Sequence, residues 1–129
     1  MLVMARGMAE AQTLSANTDS LSWKISSFHN ITRNTDVAAV SEFRSNQSVI
    51  TWIQNLGEDI NEFNISSRDG SWPDVAQNGS VVFNVTWNAL SGTIQFARTG
   101  DQITISLVIY KDGVNITPFT FSATEVVKY

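Results

Sequence analysis

The chain has 129 residues, a net charge of −4 and no cysteine. That length makes one domain with a single core, and the missing thiol excludes a disulfide framework, a thiolate zinc site and a cysteine nucleophile. Eight scattered Lys and Arg residues offer no basic face for a nucleic acid. Charged residues make up 16% of the chain, against about a quarter in an average globular domain. Ser, Thr, Asn and Gln take their place with 44 residues, a composition suited to sheets whose outer faces carry hydroxyls and amides.

Residues 1–20 read as a flexible N-terminal segment and 21–129 as a single β domain. Ala9-Glu10-Ala11 looks like the small-residue end of a secretory signal, but Arg6 and Gly7 interrupt the apolar middle that such a signal needs. No run reaches the roughly 18 apolar residues of a membrane-spanning helix. Alternation at Trp23 and Ile25 predicts a strand over 21–28, and Val37–Phe43 a second. Asn46–Phe63 reads two ways. Val49, Ile53, Leu56, Ile60 and Phe63 stand at helical spacings, and Gly57 would end a helix over 46–56. Yet SVITWI is also a good strand, rich in β-branched and aromatic residues. Arg68–Ser80, RDGSWPDVAQNGS, is the longest turn-rich segment and reads as an exposed loop.

The second half is plainer. Val81, Phe83, Val85 and Trp87 alternate, then Ile94 and Phe96, then Ile103, Ile105, Leu107 and Ile109, then Val114 and Ile116. Lys111-Asp112-Gly113-Val114 places Asp-Gly between two strands, the signature of a two-residue type I′ hairpin. Asn88–Gly92 and Thr99–Asp101 read as the other turns, so 81–123 is a four-stranded antiparallel meander. Its apolar phase slips by one after Ile116, where Pro118 marks a bulge or an edge. The fold class is mainly β: an antiparallel sandwich or barrel of six to eight strands, with a helix in the first half as the open alternative.

Chemistry-bearing residues are sparse. His29 is the only histidine, at a strand end, and reads as a surface residue. Glu58, Asp59 and Glu62 read as a solvated acidic turn. Asp69-Gly70 and Asp112-Gly113 are turn chemistry rather than calcium ligands, since no EF-hand spacing accompanies them. No glycine-rich phosphate loop is present. The expectation is a non-enzymatic chain with no cofactor and no metal. Six Asn-x-Ser/Thr motifs occur; Ile or Val is the middle residue in four, which period-2 alternation in an Asn- and Thr-rich sheet produces by itself.

Two features carry the functional expectation. The first is neutrality: Val75–Ala97 and Ile103–Tyr110 contain no charged residue. A solvated sheet normally carries Lys or Glu against edge pairing, so an uncharged face suggests cover by a partner, the lining of a cavity, or contact with something neutral such as a glycan. Membrane insertion is excluded on length, with strands of about seven residues against the roughly 9–11 a span requires. The second is Trp72, in the loop beside Arg68, Asp69 and Asp74. An aromatic among short polar groups can stack on a sugar while its neighbours hold the hydroxyls; alternatively the ring folds back as a plug on the core.

Trp23 in the first strand, followed by an up-and-down meander, resembles the lipocalin-like barrels. Their first strand carries Gly-x-Trp, and Leu21 stands here at the glycine position. The resemblance implies a barrel carrying a small apolar ligand, which is the second functional expectation; a glycan-binding module using residues 68–80 is the third. The leading one is a structural or attachment module that self-associates or binds another protein through uncharged sheet faces. Its composition suits an exterior or virion surface, with the compartment otherwise open.

Overall fold

The computed structural model describes residues 13–54, 57–117 and 119–129. Among them nine strands follow in chain order: β1 (Leu21–Asn30), β2 (Thr35–Ser45), β3 (Val49–Gln54), β4 (Asp59–Asp69), β5 (Gly79–Trp87), β6 (Leu90–Thr99), β7 (Gln102–Lys111), β8 (Val114–Asn115) and β9 (Phe119–Lys128). Every pairing is antiparallel. The sheet runs β6-β5-β4-β3-β2-β1-β9-β7, and β6 pairs back onto β7, closing an eight-stranded barrel that the two-residue β8 extends at one rim. Between the sandwich and the barrel that alternation leaves open, the barrel forms.

Alternation explains the inside. On β5, β6 and β7 the residues Val81, Phe83, Val85, Ile94, Phe96, Ile103, Ile105, Leu107 and Ile109 are buried, while the polar residues between them stay half-buried or exposed. An eight-stranded barrel is just wide enough for side chains to fill it or for one small ligand. Here rings fill it. Trp23 lies 4.6 Å from Phe96 by ring centroids, Phe43 4.9 Å from Phe121, and Trp52 stacks on Phe43 at 5.6 Å. The Trp23 indole N–H donates to Ser45 Oγ at 2.9 Å, so the buried ring leaves no orphan donor there.

Turn chemistry sets the register. Asp112 and Gly113 have φ of 54° and 80°, as a type I′ turn requires, and close Lys111 onto Val114. Asn88 and Ala89, with φ of 49° and 67°, close Trp87 onto Leu90. The turn expected over 88–92 is therefore two residues long. Gly92 belongs instead to β6, where an added Cβ would stand 1.9 Å from the Val108 carbonyl oxygen. The phase slip after Ile116 is the break between β8 and β9, both of which pair with β7. Pro118 itself, like residues 1–12, lies outside the described residues.

Four expectations change. The helix over 46–56 is replaced by β3, which pairs with β2 on one side and β4 on the other. Ile50 and Phe63 face the barrel while Ile53 and Ile60 pair on its outside, so the helical spacing mixed two faces of two strands. Ladder bonds on both sides outweigh the weak helical pattern. Second, seven strands are longer than seven residues, running nine to eleven; β5 and β6 gain their length by continuing through Gly79-Ser80 and Leu90–Gly92. The length argument against a membrane span therefore fails. Third, residues 13–20, the described part of the expected N-terminal segment, pack against one end of the barrel. Ala16 is buried, its N–H donates to the Trp72 carbonyl, the Leu14 carbonyl accepts from Val75, and Asn17 bonds both Gly70 and Trp72. Fourth, of the four motif residues expected to face inward, Ile65 and Val85 lie in paired strands and Val85 is buried, whereas Ile31 and Ile116 are exposed in turns.

Those contacts close one end of the barrel. The 46–48 turn ties to it through Gln47 to the Thr18 carbonyl, the 100–101 turn through Gly100 to Asn78, and the C-terminus through Tyr129 to Ser20. At the other rim the inward aromatics Phe28, Trp52, Trp87 and Phe119 are only partly buried.

Candidate functional site

The wall of the barrel is divided by charge. Antiparallel register aligns outward side chains across strands into rows. One row runs Asn84, Thr93, Val108; the next Val82, Gln95, Ser106, Thr120; the next Ser80, Ala97, Thr104, Ser122. These rows cover β5, β6, β7 and the first part of β9 without a charge. Thr104, Ser106 and Val108 are half-buried, Gln95 and Ser122 exposed. Where β9 meets β1, a cleft of about 230 Å³ opens, lined by Ser26, Gln102, Thr104, Ser122 and Thr124 together with one charged residue, Asp101. It sits where the β1–β9 register shifts on both sides of Ile25, as bulges do when they pry a ladder open.

Charges begin at β1. His29 Nδ1 lies 2.7 Å from Asp36 Oδ1 across the β1–β2 ladder, with Asp36 almost fully exposed. Farther down, Glu42 accepts from the Ser22 hydroxyl and from Arg44 Nε at 2.7 Å, with Lys24 Nζ 3.6 Å away. Burial pushes the Glu42 carboxyl up, but the hydrogen bonds from Arg44 and Ser22 and the charges of Arg44 and Lys24 outweigh it and hold its pKa below the usual carboxylate value. The Glu42 hydrogen bond likewise raises Arg44. This cluster clamps β1 to β2, and the Arg44 guanidinium also lies 5.0 Å from the Tyr129 ring centre. Sequence reasoning missed it; the only signal was same-face Glu42 and Arg44, whose partner Lys24 depends on register.

The sugar-binding group expected in the 68–80 loop is dispersed. Trp72 is 1% exposed. Its ring packs 5.6 Å from Trp23 and fills the space beside Gly79, where a Cβ would come within 2.3 Å of Cδ1. Its indole N–H donates to the Gln77 carbonyl at 2.9 Å. Neither ring face remains for a glycan, and the plug alternative describes this residue. Arg68 and Asp69 belong to the end of β4, not to the loop. Arg68 donates to the Gln47 carbonyl and lies 5.6 Å from the Phe83 ring, sealing the seam where β3 stops short of β4. Asp69 accepts from Asn84 at 3.3 Å. Asp74 accepts from the Ala76 amide two residues on, a local turn. Glu58, Asp59 and Glu62 are exposed around the β3–β4 turn.

Compared with protein-family models, curated proteins and solved structures, the chain matches none.

Proposed function

We propose that this protein is a non-enzymatic structural or attachment module that assembles with its partners through the uncharged half of its barrel wall. The observation that carries the reading is the set of neutral rows across β5, β6, β7 and β9. Protein contacts are depleted in charge at their centre, and a barrel that met only water would spread Lys and Glu around its whole circumference. The cleft at Ser26 and Thr124 gives the wall a concave feature into which a partner side chain fits. A ring-filled interior supports assembly over carriage of an apolar ligand, and the buried Trp72 withdraws the main support for glycan recognition. Polarity now replaces length as the argument against a membrane partner: hydroxyls and amides face outward here, whereas a transmembrane barrel turns an apolar band to lipid. By analogy of composition alone, an exterior surface such as that of a virion is the setting for which this wall is suited.

The test is Thr104→Lys and Ser106→Lys, each placing a charge in the centre of the wall. Both side chains point outward from β7, so the expected result is an unchanged denaturation midpoint with loss of the assembled mass in sedimentation. Variants that run at the wild-type mass, where that mass is a monomer, defeat the proposal.

A further inference from the structure

The cleft between β1, β9 and β7 lies where three ladders lose step. Ser26 has no register partner in either the β1–β2 or the β1–β9 ladder. Thr124 is skipped by the β1–β9 ladder, and the β7–β9 ladder stops just before it, at Ile103 opposite Ala123. Both residues line the cleft, with Gln102, Thr104 and Ser122 around them. Thr124 Oγ1 donates to the Lys24 carbonyl. The side chains of Ser26, Gln102, Thr104 and Ser122 find no hydrogen-bond partner among the described residues. Asp101 is the one charge in the lining, and it has no counter-ion there. Cations neighbouring in sequence are committed elsewhere: Arg98 donates to the Val75 and Gly100 carbonyls, and Lys24 Nζ lies 3.6 Å from Glu42.

Size and lining choose among occupants. A volume of about 230 Å³ is small against the roughly 300–1,000 Å³ of small-molecule pockets. A sugar needs an aromatic ring to stack on, and no aromatic residue lines the cleft. A single side chain ending in hydrogen-bond donors fits both size and chemistry, since a carboxylate only accepts and the hydroxyls and the Gln102 amide oxygen accept as well. We infer that the cleft receives a basic side chain of the partner that covers the wall, its terminal N–H groups held by the Asp101 carboxylate and the hydroxyl oxygens of the lining. Such an occupant rests on the proposed role of the wall and defines what its partner presents: a lysine or arginine amid neutral groups. Charge complementarity selects it. An acidic side chain would meet a like charge, and an apolar one would strip water from Asp101 without replacing it. The chain's net charge of −4 also draws a cationic surface toward it.

The experiment titrates the isotope-labelled chain with Nα-acetyl-lysine amide, with its arginine counterpart and, as the uncharged control, with Nα-acetyl-norleucine amide. The amide resonances of Ser26, Gln102, Thr104 and Ser122 report binding. At least one of the two cations should give saturable shifts at these residues, and the control should give none. Asp101→Asn keeps the size of an exposed turn residue and should weaken that binding by about threefold to tenfold, near the border between an exposed ion pair and a charge-assisted hydrogen bond. Added salt should weaken it more in the parent than in the variant. Cations that shift nothing at the cleft, that match the norleucine control, or that bind Asp101→Asn as tightly as the parent overturn the inference. Glucose or galactose producing the same shifts in place of the cations overturns it too. Ser106 lies outside the cleft lining, so Ser106→Lys tests the wall alone. Assembly lost in Ser106→Lys without cation binding by the parent retains the wall and overturns the cleft. Cation binding by a parent that is a monomer retains the cleft as a site for a basic side chain and defeats the wall.

Discussion

Truncating Trp72 to alanine tests how the barrel is closed. A buried tryptophan removes about 150–250 Å² from water, which at about 25 cal/mol per Å² corresponds to roughly 4–6 kcal/mol. Alanine keeps a little of that area, and the 70–78 loop can settle partly into the space. The lost Nε1–H bond adds little, since Gln77, whose carbonyl accepts it, is exposed and open to water. Trp72→Ala should therefore cost about 3–5 kcal/mol, as buried tryptophan truncations do. The variant also removes the face against which Trp23 packs, so the damage reaches the core and not only the loop. The assay is urea denaturation followed by far-ultraviolet circular dichroism, with parent and variant fitted to the same slope. A loss below about 1 kcal/mol, the level of an ordinary substitution, would mean that the ring does not close the barrel. A binding partner that then distinguished Trp72→Ala from the parent would return the residue to recognition.

Two glycines should respond differently to substitution. Gly113→Val meets open space but a φ of 80°, so strain alone should lower stability by more than about 1 kcal/mol; Gly92→Ala meets backbone at 1.9 Å and should lose more than Gly113→Val. Equal denaturation midpoints for these variants and the parent would refute both turn type and close approach. Glu42 has a folded pKa below its ordinary 4.5, so its stabilisation is complete above that value and lost as pH falls through the lower folded one. Glu42→Gln should accordingly be less stable than the parent at neutral pH, with the gap narrowing below about pH 4.5; a gap that stays constant from pH 7 to about pH 3 removes the clamp.

The sequence by itself determined the strands of the second half, because residues two apart share a face and Ile103, Ile105, Leu107 and Ile109 repeat that period without interruption. It determined the Asp112-Gly113 hairpin, since the positive φ at both positions is a local requirement. It also determined the neutrality of the wall, which composition carries directly. Only the tertiary structure decided that these strands close into a barrel, because closure depends on the first strand β1 meeting the last strand β9, contacts between residues about 100 apart such as Lys24 and Thr124. The 46–63 stretch stayed ambiguous for the same reason: each of its short apolar runs fits two periods, and only ladders to β2 and β4 select one. Trp72 shows the limit most clearly. Its polar neighbours leave an exposed ring and a plug on the core equally open in the sequence, because burial is a property of what lies opposite, and opposite it stand Trp23 and Gly79.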